Sequence, residues 1–541
     1  MDMLSIKIIN GMIVDGTGRK AYRADIGIQG DRIAAIGDLK QAESQILIDA
    51  AGKYIAPGFI DMHTHSDISM LLDDTADSML RNGVTTNVCG NCGEGIVPFS
   101  QKYRDVMVKY MRSSVVPGRY PQNFDYPWFT FAEYHDYIEN HPPLINMASL
   151  VPHGPVRMCV KGMENGDADS AQLDTMRALV REGMEAGAFG ISTGLAYSPG
   201  DLVGEEELTE VCKPLRDFGG IYTTHLRNQG EGIFDSLNET KRIGMGAGIP
   251  IHVSHLKLAD PQMWGRTEEI FRWFDRTNAA GVQATFDVYP YTLGCSGILR
   301  LLPPWSKEGG IQATVQRLSD ARSRQTVLHD CRNGIPGWEN LAENIGWDNV
   351  YLTSFTREEY LQFEGKTVRE IAGTLGRDPW EAYLDFVIEE QGKVGILVAS
   401  MATKDMEEIV CHPDSIVTSD GAAQSLEPDK LYGFMHPRAY GTQTRLLREF
   451  VREKKLLTVE DAVRKITSKP AELLGIKERG RLQDGYFADL VVFDPETVAD
   501  TATFTNLQSA PAGIDAVIVN GTVALRNGCV VHKHAGRLIR K

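Results

Sequence analysis

Residues 55–67 read I-A-P-G-F-I-D-M-H-T-H-S-D, an apolar run that a turn-prone Pro-Gly pair interrupts and that ends in His63 and His65. Side chains alternate along a strand, so residues two apart face the same way. The run therefore delivers two imidazoles, the commonest protein metal ligands, to one place. The chain carries its own control. His532 and His534 have the same spacing, but they sit among Lys533, Arg537, Arg540 and Lys541 with no apolar strand leading in. They read as solvated, so context rather than spacing separates the two pairs.

Outward from this stretch the theme repeats. Between Tyr54 and about Gly421, eight short apolar or β-branched runs stop at polar or reactive residues: Ile55–His65, Thr85–Cys92, Ile145–His153, Phe189–Leu195, Ile221–His225, Ile249–His255, Val282–Tyr289 and Ile416–Asp420. Segments between them, such as Ala171–Ala186, Glu205–Phe218 and Arg266–Ala279, carry apolar residues at helical period and end near glycine. Strand and helix in alternation imply a parallel sheet. Eight repeats predict a (β/α)8 TIM-type barrel, with its chemistry at the carboxyl ends of the strands. The interval from Tyr289 to Ile416 is too long for one helix and loop, so an inserted subdomain is expected at about 295–410, overhanging the site.

Residues 1–54 alternate as short strands and turns (Ile6–Ile9, Met12–Asp15, Asp25–Ile28, Arg32–Ile36), and 474–541 do the same (Ala488–Asp494, Ala516–Asn520, Thr522–Arg526). Each end has too few strands for a core of its own. The two are expected to associate into one small β-sandwich domain, leaving 55–473 as the barrel with its insert.

A chain of 541 residues fits two or three domains. A net charge of -16, with no long basic stretch, argues against nucleic-acid or anionic-membrane partners. The first residues lack the charged and apolar regions of a secretory signal, and no run is long enough to span a bilayer. Eight scattered cysteines form no disulfide framework and suit a reducing cytoplasm.

Four further strand ends add metal-binding groups: Cys92 in Cys-Gly-Asn-Cys-Gly-Glu-Gly, His225 in Tyr-Thr-Thr-His-Leu-Arg, His255 in His-Val-Ser-His-Leu-Lys, and Asp420 in Val-Thr-Ser-Asp-Gly. Imidazole, thiolate and carboxylate together fit zinc, whose catalytic sites use three protein ligands and keep a position for water. Six candidates suggest one tight and one looser site. Each has a plainer alternative. His225 alone could be a hydrogen-bonded core residue, Asp420 before glycine a turn residue, and Cys89 with Cys92 half of a zinc ribbon or a redox pair, although no second C-x-x-C follows. Joint placement at successive strand ends is what favours metal. His252 falls on the opposite side of its strand from His255 and is read as structural. His153 and His436 are secondary candidates for supporting or substrate contacts.

These residues resemble the amidohydrolase superfamily, in which an H-x-H on the first barrel strand, histidines on strands five and six and an aspartate on strand eight hold metal. Residues 480–494 also look like that superfamily's return to the β-domain. Within it the chain is most similar to the N-acyl-D-amino-acid deacylases, or D-aminoacylases. The resemblance is carried by Gly-Asn-Cys-Gly (90–93), Gly-Ile-Ser-Thr-Gly-Leu-Ala-Tyr-Ser-Pro-Gly (190–200), Val-Ser-His-Leu-Lys (253–257), Asp-Val-Tyr-Pro-Tyr-Thr (287–292) and His-Pro-Arg-Ala-Tyr-Gly-Thr (436–442). It implies that Cys92, His225 and His255 hold a tight zinc, that His63, His65 and Asp420 form a weaker second position, and that Asp420 carries the proton. It also implies that Arg438, Lys257, Tyr289 and Ser296 bind the substrate carboxylate. Many amidohydrolases use a carboxylated lysine on strand four, and Phe189–Tyr197 contains none.

Two features depart from the family pattern. Glu94 stands where a neutral residue is expected, which bears on metal affinity and pocket charge, and the segment 101–127 is enlarged, which bears on substrate access. The implied partner is a small N-acyl amino acid. Two rival readings are a cyclic-amide hydrolase of dihydroorotase or hydantoinase type and a catalytically silent protein on the same fold. The absent lysine disfavours the first, and retention of all six ligand candidates disfavours the second. Side-chain preference, acyl length and oligomeric state do not follow from the sequence.

Overall fold

The Pro57-Gly58 pair is a boundary between two sheets. In the computed structural model of the chain, which describes residues 3–112, 124–427, 430 and 436–541, Tyr54–Pro57 pairs with Leu490–Phe493 on one side and Met12–Ile13 on the other, in a seven-stranded sheet. One residue later the chain enters β1 (Phe59–Asp61), the first strand of a parallel barrel. The run from Ile55 to His65 is thus two strands rather than one. Proline has no amide to extend a ladder, so the first strand stops there.

The barrel continues through β2 (Val84–Cys89), β3 (Asn146–Ser149, resuming at Val151–Pro152), β4 (Gly190–Gly194), β5 (Ile221–His225), β6 (Ile251–Val253), β7 (Ala284–Val288) and β8 (Ile416–Val417). Neighbours pair in parallel and in chain order. The circle closes where Thr64 bridges Gly421, with Asp420 N donating to His63 O at 2.9 Å and His65 N to Gly421 O at 2.8 Å. Most of these strands are shorter than the apolar runs. Only His225 ends a strand, and the other five ligand candidates lie on the turns just beyond.

Helices cover the barrel as a parallel sheet requires. The helix Ser170–Glu185 is typical: Asp169 and Gln172 form a capping box at its start, and Met176, Val180, Gly183 and Met184 make one buried stripe. Between β7 and β8 lies a three-stranded antiparallel sheet (Gly294–Gly297, Gly395–Val398, Val350–Thr353) whose helices share a separate core around Trp347, Trp380, Tyr383 and Phe386. Its first strand carries Cys295 and Ser296 to the barrel mouth.

On the other side, a four-stranded sheet (Arg32–Gly37, Asp25–Gln29, Leu4–Ile9, Ser44–Asp49) packs on the seven-stranded one over Ile6, Ile8, Ile26, Ile55, Leu490, Val492 and Ile518. Residues from both ends of the sequence therefore share one core. The last residues reach further, to the foot of the barrel: Met147 N in β3 donates to Arg537 O at 2.9 Å, and Ile539 N to Met147 O at 2.7 Å. Of the enlarged segment 101–127, Arg104–Tyr110 is helical and 113–123 fall outside the described residues. Among the described residues no helix is long and apolar enough to cross a membrane.

Candidate active site

Cys92 is placed by a loop that other motifs fasten down. Gly90 (φ 78°) and Gly93 (φ 67°) turn in the left-handed region, and a Cβ on Gly93 would lie 2.6 Å from Gly194 N, so the loop packs against β4 only with glycine there. Asn91 Nδ2 donates to Val88 O at 3.0 Å, and Gly93 N donates to Ser192 Oγ at 2.9 Å, while Ser192 Oγ donates in turn to Gly90 O. The Gly-Asn-Cys-Gly and Gly-Ile-Ser-Thr-Gly motifs are two halves of one clamp. Cys92, His255 and Asp420 all adopt positive φ (53°, 35° and 49°). Strained backbone of this kind persists where surrounding structure enforces it, commonly at functional sites.

The six ligand candidates fall into two groups that share Cys92. Ligand atoms of His63, His65, Cys92 and Asp420 lie within 4.8 Å of one another, as do those of Cys92, His225 and His255. Cys92 Sγ is 3.3 Å from His63 Nε2 and 3.4 Å from His255 Nε2. Asp420 Oδ1 is 3.1 Å from His65 Nε2 and 3.3 Å from His63 Nε2. His225 Nε2 is buried and makes no hydrogen bond among the described residues. Thiolate and imidazole donors gathered around this buried, unsatisfied nitrogen, with a carboxylate in the adjoining group, fit a borderline-soft cation such as zinc. Burial raises the Cys92 thiol, but the His63 and His255 rings outweigh it and hold it well below its ordinary range. Burial likewise opposes ionisation of Asp420, while Arg438, His255 and His63 keep its carboxyl well below the usual range.

Sequence reading did not find the group that orients this cluster. Asp287, at the end of β7, lies 3.1 Å from His63 Nδ1 and 2.8 Å from His252 Nε2 through Oδ2, and accepts from His255 N at 2.8 Å and Thr418 Oγ1 at 2.9 Å through Oδ1. A carboxylate on the far nitrogen of a ligating histidine fixes its tautomer and ring orientation. His252 stands outside both groups and acts through Asp287. Other unanticipated contacts are Tyr197 OH, 3.1 Å from His225 Nδ1, and Gln229, whose Oε1 accepts from Lys257 Nζ at 3.0 Å. The sequence signal for Asp287 is its place at a strand end in Asp-Val-Tyr-Pro-Tyr-Thr.

The substrate-binding candidates surround the same cluster. Arg438 Nη1 pairs with Asp420 Oδ2 at 2.7 Å, and its guanidinium lies 5.0 Å from the Tyr289 ring centroid. Lys257 Nζ is 2.9 Å from His255 Nδ1 and 5.5 Å from the same ring; burial lowers its ammonium to about 8. Ser296, Arg438 and Asp420 line a cavity of about 150 Å³ together with His65, Cys92 and Glu94. His436 also lines it and accepts from Arg438 N at 3.0 Å, seating the arginine. His153 does not line it; it opens the helix His153–Lys161 beside Glu207. Cys89 is in neither ligand group, and the exposed His534 Nδ1 contacts Pro142 O.

A model of the Amidohydrolase family matches residues 47–525 of the chain. The chain belongs to this family. It is 33% identical over 534 residues to a D-aminoacylase of Alcaligenes xylosoxydans xylosoxydans, covering 99% of this chain and 97% of that protein. An N-acyl-D-glutamate deacylase of the same organism is 32% identical over 545 residues, covering 100% and 97%. The crystal structure of N-acyl-D-glutamate deacylase from Bordetella bronchiseptica, complexed with zinc and a phosphonate inhibitor that mimics the reaction's tetrahedral intermediate, superposes with a TM-score of 0.81 at 30% identity and covers both chains completely. The barrel with a small β-domain is thus the fold of relatives alike over their whole length.

Proposed function

We infer that the chain hydrolyses the amide bond of N-acyl-D-amino acids, releasing a carboxylate and a free D-amino acid. The observation that carries this reading is the convergence of Cys92, His225 and His255 on one point, with Asp420 facing the same thiol and Arg438 beside it in one cavity. The reading takes residues 55–473, with the insert at about 295–410, as the catalytic body and the two ends as a supporting β-domain. In it, Cys92, His225 and His255 hold a tight zinc and His63, His65 and Asp420 a weaker position, which Cys92 also reaches. When bound, zinc supplies Lewis acidity, acidifying water and polarising a carbonyl.

The chain's own residues do the rest. Asp420 takes a proton from the attacking water and returns it to the leaving nitrogen, without which an amine leaves poorly. Arg438 grips the substrate α-carboxylate at two points, a geometry lysine cannot offer, with Lys257, Tyr289 and Ser296 around it. A carboxylate arriving at Arg438 competes with Asp420 Oδ2 for the guanidinium, which frees that oxygen to accept the proton. The test is metal analysis of the purified protein with turnover of paired N-acetyl-D- and N-acetyl-L-amino acids. Zinc-dependent cleavage of the D-forms, far faster than of the L-forms, is expected. Equal rates, or turnover indifferent to metal removal, would overturn the reading.

A further inference from the structure

Glu94 is the one charged residue of the Cys92 loop, and the catalytic reading leaves it without a task. Its side chain is 14% exposed and lines the cavity beside His65, Tyr110 and Met163. It belongs to neither ligand group. Among the described residues no donor hydrogen-bonds its carboxylate; its ion-pair contact, His65 Nδ1, lies 3.9 Å away, beyond hydrogen-bond reach. Burial pushes its carboxyl up to about 8, and a buried polar group of this kind commonly has a hydrogen-bonding partner. The cavity is where a partner can come from.

The surroundings select its charge. The neighbours acting most strongly on Glu94 are His65, Cys92, Asp420 and Asp67; the first three hold metal in the deacylase reading, which leaves Glu94 and Asp67 as the acidic groups of this set without a ligand role. Cations on the facing insert and on the helix Arg104–Tyr110 already have partners. Arg300 pairs with Glu339, Lys307 lies 2.6 Å from Asp201, and Lys109 donates to Gln312 at 3.0 Å. Arg438 is paired with Asp420, and both Arg438 and Lys257 lie against the Tyr289 ring. An acidic substrate side chain would meet carboxylate here, whereas an ammonium or guanidinium would find its counter-ion.

We propose that Glu94 is a specificity-determining residue and that the substrates this chain prefers carry a cationic group that pairs with it. The inference rests on the deacylase reading. The cation can sit on the acyl part, as in an aminoacyl-D-amino acid, or on the side chain of a basic D-amino acid. The test measures kcat/KM of the zinc-loaded enzyme for N-acetyl-D-leucine, N-acetyl-D-glutamate, N-acetyl-D-lysine, N-acetyl-D-arginine and glycyl-D-leucine. At least one cationic class should exceed N-acetyl-D-leucine by about tenfold or more, as a charge-assisted pair allows, with N-acetyl-D-glutamate poorest. Glycyl-D-leucine against N-acetyl-D-lysine distinguishes the two positions of the charge.

In Glu94→Gln the ratio of cationic to neutral kcat/KM should fall about 10- to 100-fold, mostly through KM, and Glu94→Asp should retain part of it. Zinc content measured on the same preparations should match wild type. Loss of zinc in Glu94→Gln would place Glu94 in the metal centre through His65 and overturn the proposal, as would cleavage of N-acetyl-D-leucine with no cationic preference. Turnover of none of the five substrates would overturn the deacylase reading itself, and this inference with it.

Discussion

Asp420→Asn changes one side-chain atom and removes one charge. Asp420 sits at φ 49°, in the left-handed region that asparagine is among the few side chains to tolerate, so the turn should keep its shape. The amide oxygen can replace Oδ1 opposite His65 Nε2 at 3.1 Å. The amide nitrogen then faces Arg438 Nη1 at what was a 2.7 Å ion pair, donor against donor. That conflict costs about 1–3 kcal/mol of local stability, by the scale of a broken buried polar contact. What asparagine cannot do is accept and return a proton, and general acid–base catalysis is worth about 10²–10⁴ in rate. At 1.36 kcal/mol per factor of ten this is roughly 3–5 kcal/mol of barrier. The assay is kcat on a saturating N-acetyl-D-amino acid, alongside zinc content and circular dichroism. We expect kcat lower by at least about 10² with near-normal zinc and fold, because Cys92, His225 and His255 do not depend on Asp420. A kcat within a few-fold of wild type would refute the mechanism and move the proton to another group, Glu94 first.

Three further outcomes follow from the same geometry. Cys92→Ala should lose most of the zinc, since Cys92 is common to both ligand groups; metal content equal to wild type would remove the site assignment. Arg438→Ala should lower kcat/KM for carboxylate-bearing substrates by about two to three orders of magnitude, with lysine rescuing only part, and wild-type kcat/KM would hand the carboxylate to Lys257. Asp287→Asn should weaken metal binding at the His63-containing position about 10- to 100-fold while the chain stays folded, because the His63 ring loses its orienting carboxylate; a titration matching wild type would assign Asp287 to strand packing alone.

The barrel was legible because apolar runs alternating with helix-period segments admit few other solutions. Strand limits were less so. Reading each run to its last reactive residue placed Cys92, His255 and Asp420 in strands, whereas they occupy left-handed turns beyond them. The flanking Gly90, Gly93 and Gly421 are the local trace of those turns. Ser44–Asp49 escaped notice because four of its six residues are half or fully exposed in succession before Ile48 turns inward, which leaves no clear period. Of the candidate site, the six residues that the fold gathers into two groups could be picked out from residue chemistry repeated at strand ends. Asp287, Gln229 and Tyr197 could not, since each matters through a partner distant in sequence and only packing brings the two together.

The first barrel strand, which leads to His63 and His65, is held from a remote part of the chain. Tyr54–Pro57, one residue ahead of β1, pairs with Leu490–Phe493, and the foot of β3 pairs with residues around Leu538. During translation these partners emerge long after β1 and β3. The nascent barrel must therefore wait with its first wall unanchored, which exposes strand edges to mispairing for much of synthesis. A nonsense mutation between residues 421 and 490 would thus resemble loss of a metal ligand, although all six ligand candidates would still be encoded.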